Sequence, residues 1–433
     1  MPAALSCTPI SIGEEMSRQQ ALWSAQAHMP TVLANEPTVI VEAHGAYITT
    51  DKGERYLDGA GGLWYANVGH GREEIAEVAA AQMKKLETWH VFGRYLNDRA
   101  VELAEKIAAL APIVDPKVIL TSGGSDSVDM ALKLARRHWQ LQEKFEKLTI
   151  VSRHNSYHGL HAFGTSVAGL EFNRVGHGPG PLIPDTLLVD PFDIDLVEKT
   201  IRDFGGERIA AFIAEPVMGT GGLVPPPAGY FKRIKELAAE YDFLVVADEV
   251  ITGFGRLGTW FASERFDIQP DMITFAKGIT SGYMPLGGVL VAPKIWKQFF
   301  EGQDAPILHQ GLTYSGHATA AAVALKNLEI LEREDLLGRV RSLEPILAQE
   351  LESLRGTPGV QDVRYVGLMG GVDLAPGISG VEVVAEMERR GVHLRNLPND
   401  ILMISPPFIV TQDELRLIVS TIRDSLSTVL SRH

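Results

Sequence analysis

The sequence predicts an α/β fold: a large domain with a mostly parallel sheet between helices, joined to a smaller α+β domain. Three observations carry this expectation. The chain has 433 residues, more than one ordinary domain core accommodates. Its middle alternates short apolar runs with segments of helical period. After about residue 330 the pattern changes to a helix, paired strand-like runs and further helices.

Strands are expected at 118–120, 148–151, 210–214, 243–247 and 272–275, each short and apolar as strands covered on both faces are. Between the first two, Val128, Ala131, Leu132 and Ala135 form one apolar helical stripe. Ser125, Asp126 and Ser127 offer capping chemistry at its start. An earlier helix is read from Ile75, Val78, Ala79, Met83 and Leu86. Beyond residue 330, strands are expected at 363–366, 370–374, 392–395 and 401–405. A final helix carries Leu415, Ile418, Val419, Ile422 and Leu426. The chain divides into an N-terminal segment contributing to the small domain (1–62), a large domain (63–330) and a C-terminal small domain (331–433).

A hydrophobic fraction of 45% with 22% charged residues argues against disorder. The net charge of −14 has the wrong sign for nucleic acid or an anionic membrane surface. Apolar runs such as 209–214 fall short of the roughly 18–20 residues that cross a bilayer. With no basic segment leading into an apolar one at the N-terminus, neither a membrane span nor a signal peptide is expected. The single cysteine, Cys7, has no intrachain partner, which fits a reducing cytoplasm.

In open α/β sheets ligands gather at the carboxyl ends of strands, and five predicted ends here are polar or glycine-rich. Ser122-Gly123-Gly124-Ser125 precedes a helix, so free N–H groups and hydroxyls could cradle a phosphate; an ordinary capped turn is the alternative. Tyr157 and His158 share one loop, where a flat phenol ring could cover a planar cofactor or simply lie half-buried. Glu215 is a carboxylate ahead of a glycine-rich run. Asp248 follows a strongly apolar run and needs a cationic or donor partner, with a metal ligand or helix cap as competing readings. Lys277 ends another apolar run, where desolvation would favour the neutral, nucleophilic amine; a lysine that reaches out to solvent is the alternative. A phosphate cup, a ring-covering aromatic, an acid for a ring nitrogen and an activated lysine together describe a site for pyridoxal phosphate. No metal is expected.

The runs Val246-Ala-Asp-Glu-Val-Ile-Thr-Gly-Phe-Gly-Arg256 and Phe275-Ala276-Lys277-Gly278 resemble class III aminotransferases of the fold type I pyridoxal-phosphate-dependent transferases. Asp58-Gly59, Gly62-Leu63-Trp64, Tyr157-His158-Gly159, Glu215-Pro216 and Thr313-Tyr314-Ser315-Gly316-His317 extend the likeness over nearly the whole chain. It is most similar to the ω-amine:pyruvate branch. That resemblance implies an imine at Lys277, Asp248 on the pyridinium nitrogen, and Val250 on the ring face opposite Tyr157. It places Gly124 and Ser125 on the phosphate, and implies a homodimer or higher dimer-based oligomer in which Thr313 reaches the cofactor phosphate of the second subunit. Trp64 and Phe92 would line the amine pocket, Phe92 from across the interface, and Arg395 would grip a substrate carboxylate. The phosphate loop departs from the family's Ser-Gly-Ser-Glu, and Met218 stands where many relatives have glutamine. The implied reaction transfers an amino group from an amine donor to an α-keto acid, pyruvate above all, by a ping-pong route. A decarboxylase or aminomutase on the same fold is the alternative.

Overall fold

A computed structural model describes residues 21–35 and 37–432. Cys7 lies outside the described residues. The strands are β1 (Ile40–His44), β2 (Tyr47–Thr50), β3 (Arg55–Asp58), β4 (Lys117–Thr121), β5 (Thr149–Arg153), β6 (Thr186–Val189), β7 (Ile209–Ala214), β8 (Leu244–Asp248), β9 (Met272–Phe275) and β10 (Gly287–Val291). After them come β11 (Val360–Val366), β12 (Met369–Leu374), β13 (Val392–His393), β14 (Arg395–Leu397) and β15 (Ile401–Ile404).

The central sheet runs β4-β10-β9-β8-β7-β5-β6. All five strands expected in the middle of the chain are in it, and only β10 runs antiparallel to its neighbours. Every residue of β7, β8 and β9 is buried, as strands with both faces covered require. The helix Gly124–Leu141 packs its Val128, Ala131, Leu132 and Ala135 stripe into this core. β10, a strand not expected from the sequence, opens with two glycines that let it fit. A Cβ on Gly288 would stand 2.3 Å from the Phe275 ring, and one on Gly287 would meet Gly123 O and Ser127 Oγ at 2.7 Å.

Two smaller sheets flank the centre, β1-β2-β3-β13 and β11-β12-β15-β14. The single strand expected at 392–395 is two: β13 pairs in parallel with β3, and β14 pairs with β15. Leu394, buried between them, marks the switch of sheet. Two local expectations also change. In the helix Glu73–Leu86 the buried positions are Ile75 and Gln82, while Met83 is 49% exposed; the Gln82 amide is buried because it donates to Leu86 O at 2.8 Å. Ser125, Asp126 and Ser127 do not cap their helix, which starts one residue earlier with Gly123 at the N-cap and no side-chain cap bond.

Arg256 ties the sheets together. It is wholly buried and stacks on Phe408 at 4.6 Å. It donates to Asn67 Oδ1 (2.9 Å), Pro406 O (2.7 Å) and Leu368 O (3.3 Å). No carboxylate touches it among the described residues, and burial lowers its pKa to about 9. Truncation would leave three buried acceptors without a donor. Arg256→Ala is expected to cost roughly 2–4 kcal/mol, read as a lower urea midpoint. A change under about 0.5 kcal/mol, the size of an ordinary surface substitution, would contradict this role.

Candidate active site

All five polar strand ends converge. Gly124, Ser125, Tyr157, His158, Glu215, Asp248, Val250 and Lys277 line one cleft of about 150 Å³ at the carboxyl edge of the central sheet. Val128, Gly159, Val217, Ile251 and Ala276 complete its walls, residues to which the sequence assigned no individual role in the site.

The acid and the amine come from adjacent strands. β8 and β9 pair in parallel with Asp248 opposite Thr274, so Lys277 follows three residues beyond that pair. Asp248 has the partners that its burial demands: Oδ2 lies 2.7 Å from His158 Nδ1, and Oδ1 accepts from Thr274 Oγ1 (3.0 Å) and Val250 N (3.2 Å). His158 is itself buried, with Nε2 unpartnered. Glu249, next in the chain, accepts from Ala262 N, Ser263 N, Ser263 Oγ and Thr252 Oγ1, pinning the turn that leaves β8. Burial raises its carboxyl to about 6 against those bonds.

Lys277 sits at φ +49°, in the left-handed region that a β-carbon disfavours. Asn327 Nδ2 holds the following backbone, donating to Gly278 O and Ile279 O at 2.9 Å each. The amine looks into the cleft, 5.3 Å from the centre of the Trp64 ring, yet protein surrounds most of it. Desolvation lowers its pKa from 10.5 to about 8, with Asp248 and Glu215 opposing the shift. Burial pushes the Glu215 carboxyl up; its oxygens accept from Tyr157 N (3.1 Å) and Gly219 N (2.8 Å), which fixes the loop bearing Tyr157.

At the other end of the cleft, the N-terminus of the 18-residue helix Gly124–Leu141 opens beside Gly124 and Ser125. A Cβ on Gly124 would press Val250 Cγ1 at 2.9 Å. Ser125 Oγ accepts from Leu160 N (3.1 Å), joining this turn to the Tyr157 loop. Ser122 and Gly123 stand just ahead of the cleft wall, with Ser122 N bonded to Asp126 Oδ2 at 3.2 Å.

The substrate-pocket expectations separate. Arg395 reaches the Trp64 ring, its guanidinium carbon 5.2 Å from the centroid, and no carboxylate pairs with it among the described residues. Burial lowers its pKa. Phe92 and Thr313 lie elsewhere in this subunit: Phe92 packs at Gly311 in a separate apolar groove and is 44% exposed, and Thr313 is exposed. Among the described residues no group of three or more His, Cys, Asp or Glu could hold a metal, and no helix is long and apolar enough to cross a membrane.

A buried acid with a free acceptor position, an amine of lowered pKa and a helix N-terminus thus share one cleft, which Tyr157 and Val250 also line. The cleft suits a flat, anionic, aldehyde-bearing ring. The chain belongs to a family defined by such chemistry: the model of aminotransferase class III matches residues 30–426, and the protein is an aminotransferase of that class. It is 35% identical over 416 residues to the putrescine–pyruvate aminotransferase of Pseudomonas aeruginosa, covering 90% of each chain. Among solved structures it resembles a transaminase from the marine bacterium Virgibacillus, with 38% identity, a TM-score of 0.89 and 95% and 98% of the two chains covered. It is also similar to a PLP-bound amine transaminase from an uncultivated Pseudomonas species, with 34% identity, a TM-score of 0.89 and 95% and 100% covered.

Lys277 sheds its proton as pH rises through about 8, so its reactive fraction grows across that value. In cofactor-free protein, reductive labelling of Lys277 by a small aldehyde, followed by peptide mass spectrometry, is expected to level off above pH 9 or so. A yield still climbing towards 10.5 would mark an ordinary lysine.

Proposed function

We propose that this aminotransferase uses pyridoxal phosphate to move an amino group from an amine or ω-amino acid to pyruvate or a similar α-keto acid. The observation that carries the reading is the pairing of Asp248 and Lys277 on adjacent strand ends in one cleft. The similarity to a putrescine–pyruvate enzyme supports the donor and acceptor classes.

When bound, pyridoxal phosphate supplies an aldehyde carbon that takes up amines and a ring that accepts an electron pair. The residues prepare for each. Gly124, Ser125 and the helix N-terminus would bind the phosphate through N–H and hydroxyl donors, with Ser122 and Gly123 shaping the turn. Tyr157 and Val250 would confine the ring, and Asp248, oriented by His158, would keep the ring nitrogen protonated. Lys277 would hold the group at its aldehyde carbon, and its amine, with a pKa lowered to about 8, would serve as the base that moves the substrate proton. The aromatic wall of Trp64 and Tyr157 shields that transfer from water, and Glu215 anchors the loop carrying Tyr157.

Arg395 meets the carboxylate of the keto acid and stays on the Trp64 face when the donor is an apolar amine. The enzyme works as a homodimer or a dimer-based oligomer, in which the exposed Phe92 completes the second subunit's amine pocket and Thr313 reaches its cofactor. The apolar groove containing Phe92, Leu96 and Ile307 supports such an interface. The division at residues 62 and 330 is retained as the domain organisation, and a reducing cytoplasm suits a chain with one cysteine.

Incubation with pyruvate and a panel of amines, putrescine and β-alanine included, is expected to yield alanine in step with amine consumed, and Lys277→Ala to abolish it. Carbon dioxide or an isomerised amine without alanine would instead establish a decarboxylase or aminomutase. Arg395→Ala is expected to raise KM for pyruvate roughly 10–100-fold, the loss of a charge-assisted bond, with little change for an apolar amine. Unchanged pyruvate kinetics would remove Arg395 from the site.

A further inference from the structure

Asp248 is surrounded by donors in an uneven way. A carboxylate offers about four acceptor positions. Oδ1 has two donors, Thr274 Oγ1 at 3.0 Å and Val250 N at 3.2 Å, whereas Oδ2 has one, His158 Nδ1 at 2.7 Å. The remaining position is therefore on Oδ2, on a side chain that lines the cleft. His158 Nδ1 alone would not fix the plane of the group, because a carboxylate can turn about its terminal torsion, which is broad. Val250 N sits on a turn and meets Oδ1 at the longest of the three distances. Thr274 is different: it is fully buried in β9, directly opposite Asp248 in the strand register, and Asp248 is its hydroxyl's hydrogen-bond partner.

We propose that Thr274 is a positioning residue for cofactor binding: its hydroxyl locks Oδ1, so that the free position on Oδ2 stays aimed at the protonated ring nitrogen. The inference rests on the pyridoxal-phosphate reading of the cleft. It assigns a role to the residue three places before the reactive lysine, so one strand delivers both the amine and the lock on the acid. The β-branched shape of threonine also suits a strand, so the hydroxyl and the shape must be tested separately.

The full-length protein is freed of cofactor and titrated with pyridoxal phosphate, with binding read by absorbance and calorimetry. Thr274→Val keeps the shape and removes the donor; its dissociation constant is expected to rise about tenfold, which corresponds to roughly 1.4 kcal/mol. Thr274→Ser keeps the donor and is expected to stay within about twofold of the parent, a range too small for a lost bond to a charged group. Melting temperatures of the cofactor-free forms are expected to agree, and Thr274→Ala replaces the valine variant if they do not. In an Asp248→Ala background the penalty of Thr274→Val is expected to vanish, since the two residues then act as one unit. Equal affinity of the valine variant and the parent would overturn the proposal, as would a serine variant as weak as valine or a penalty that persists without Asp248. A parent protein that takes up no pyridoxal phosphate would overturn the cofactor reading itself, and this inference with it.

Discussion

The site depends on holding an acid and an amine at the ends of two neighbouring buried strands without letting them neutralise each other. Burial opposes both charges, and a direct ion pair between them would consume the chemistry. The structure resolves this by giving each a different environment. Asp248 receives three donors, from His158, Thr274 and Val250. Lys277 lies over the Trp64 ring and is desolvated, and the desolvation lowers its pKa to about 8. The register of β8 on β9 makes this possible, since it sets Thr274 rather than Lys277 opposite Asp248.

The rest of the fold serves that separation. Glu249 and Asn327 fasten the chain immediately beyond Asp248 and Lys277 through buried hydrogen bonds, so neither strand end is free to shift. Arg256 and Asn67 link the turn after β8 to the segment leaving β15. The aromatic Trp64 lies within reach of two cationic side chains, Lys277 and Arg395, at 5.3 and 5.2 Å from its ring centre. Each contact is the kind of cation–π interaction worth about 1–2 kcal/mol when desolvated.

Much of this was legible in the sequence because strand ends are local. A run such as Phe243–Ala247 followed by Asp248 reports burial and its abrupt end in the same few residues. That is why the five polar ends could be named before their convergence was seen. What escaped the sequence needed a neighbour distant along the chain. β10 went unpredicted, and the need for glycine at 287 and 288 appears only once Gly123 and Phe275 are seen against them. The division of 392–395 between two sheets depends on β3 and β15. Gln82 is buried, where Met83 was expected, because a backbone carbonyl is there to receive its amide. Thr274 read only as a strand former, since nothing in its own segment points to Asp248.

The left-handed backbone at Lys277 has a consequence for how such a protein persists. An L-residue there carries a strain of order 1–2 kcal/mol, to which a buried amine adds. For folding alone, glycine would be the better residue at position 277. Lineages released from selection for the reaction proposed for this site therefore have a stabilising route that removes its amine in one substitution. Descendants with the family's outline and a glycine at this place would be relics of lost catalysis, sturdier than their working ancestors.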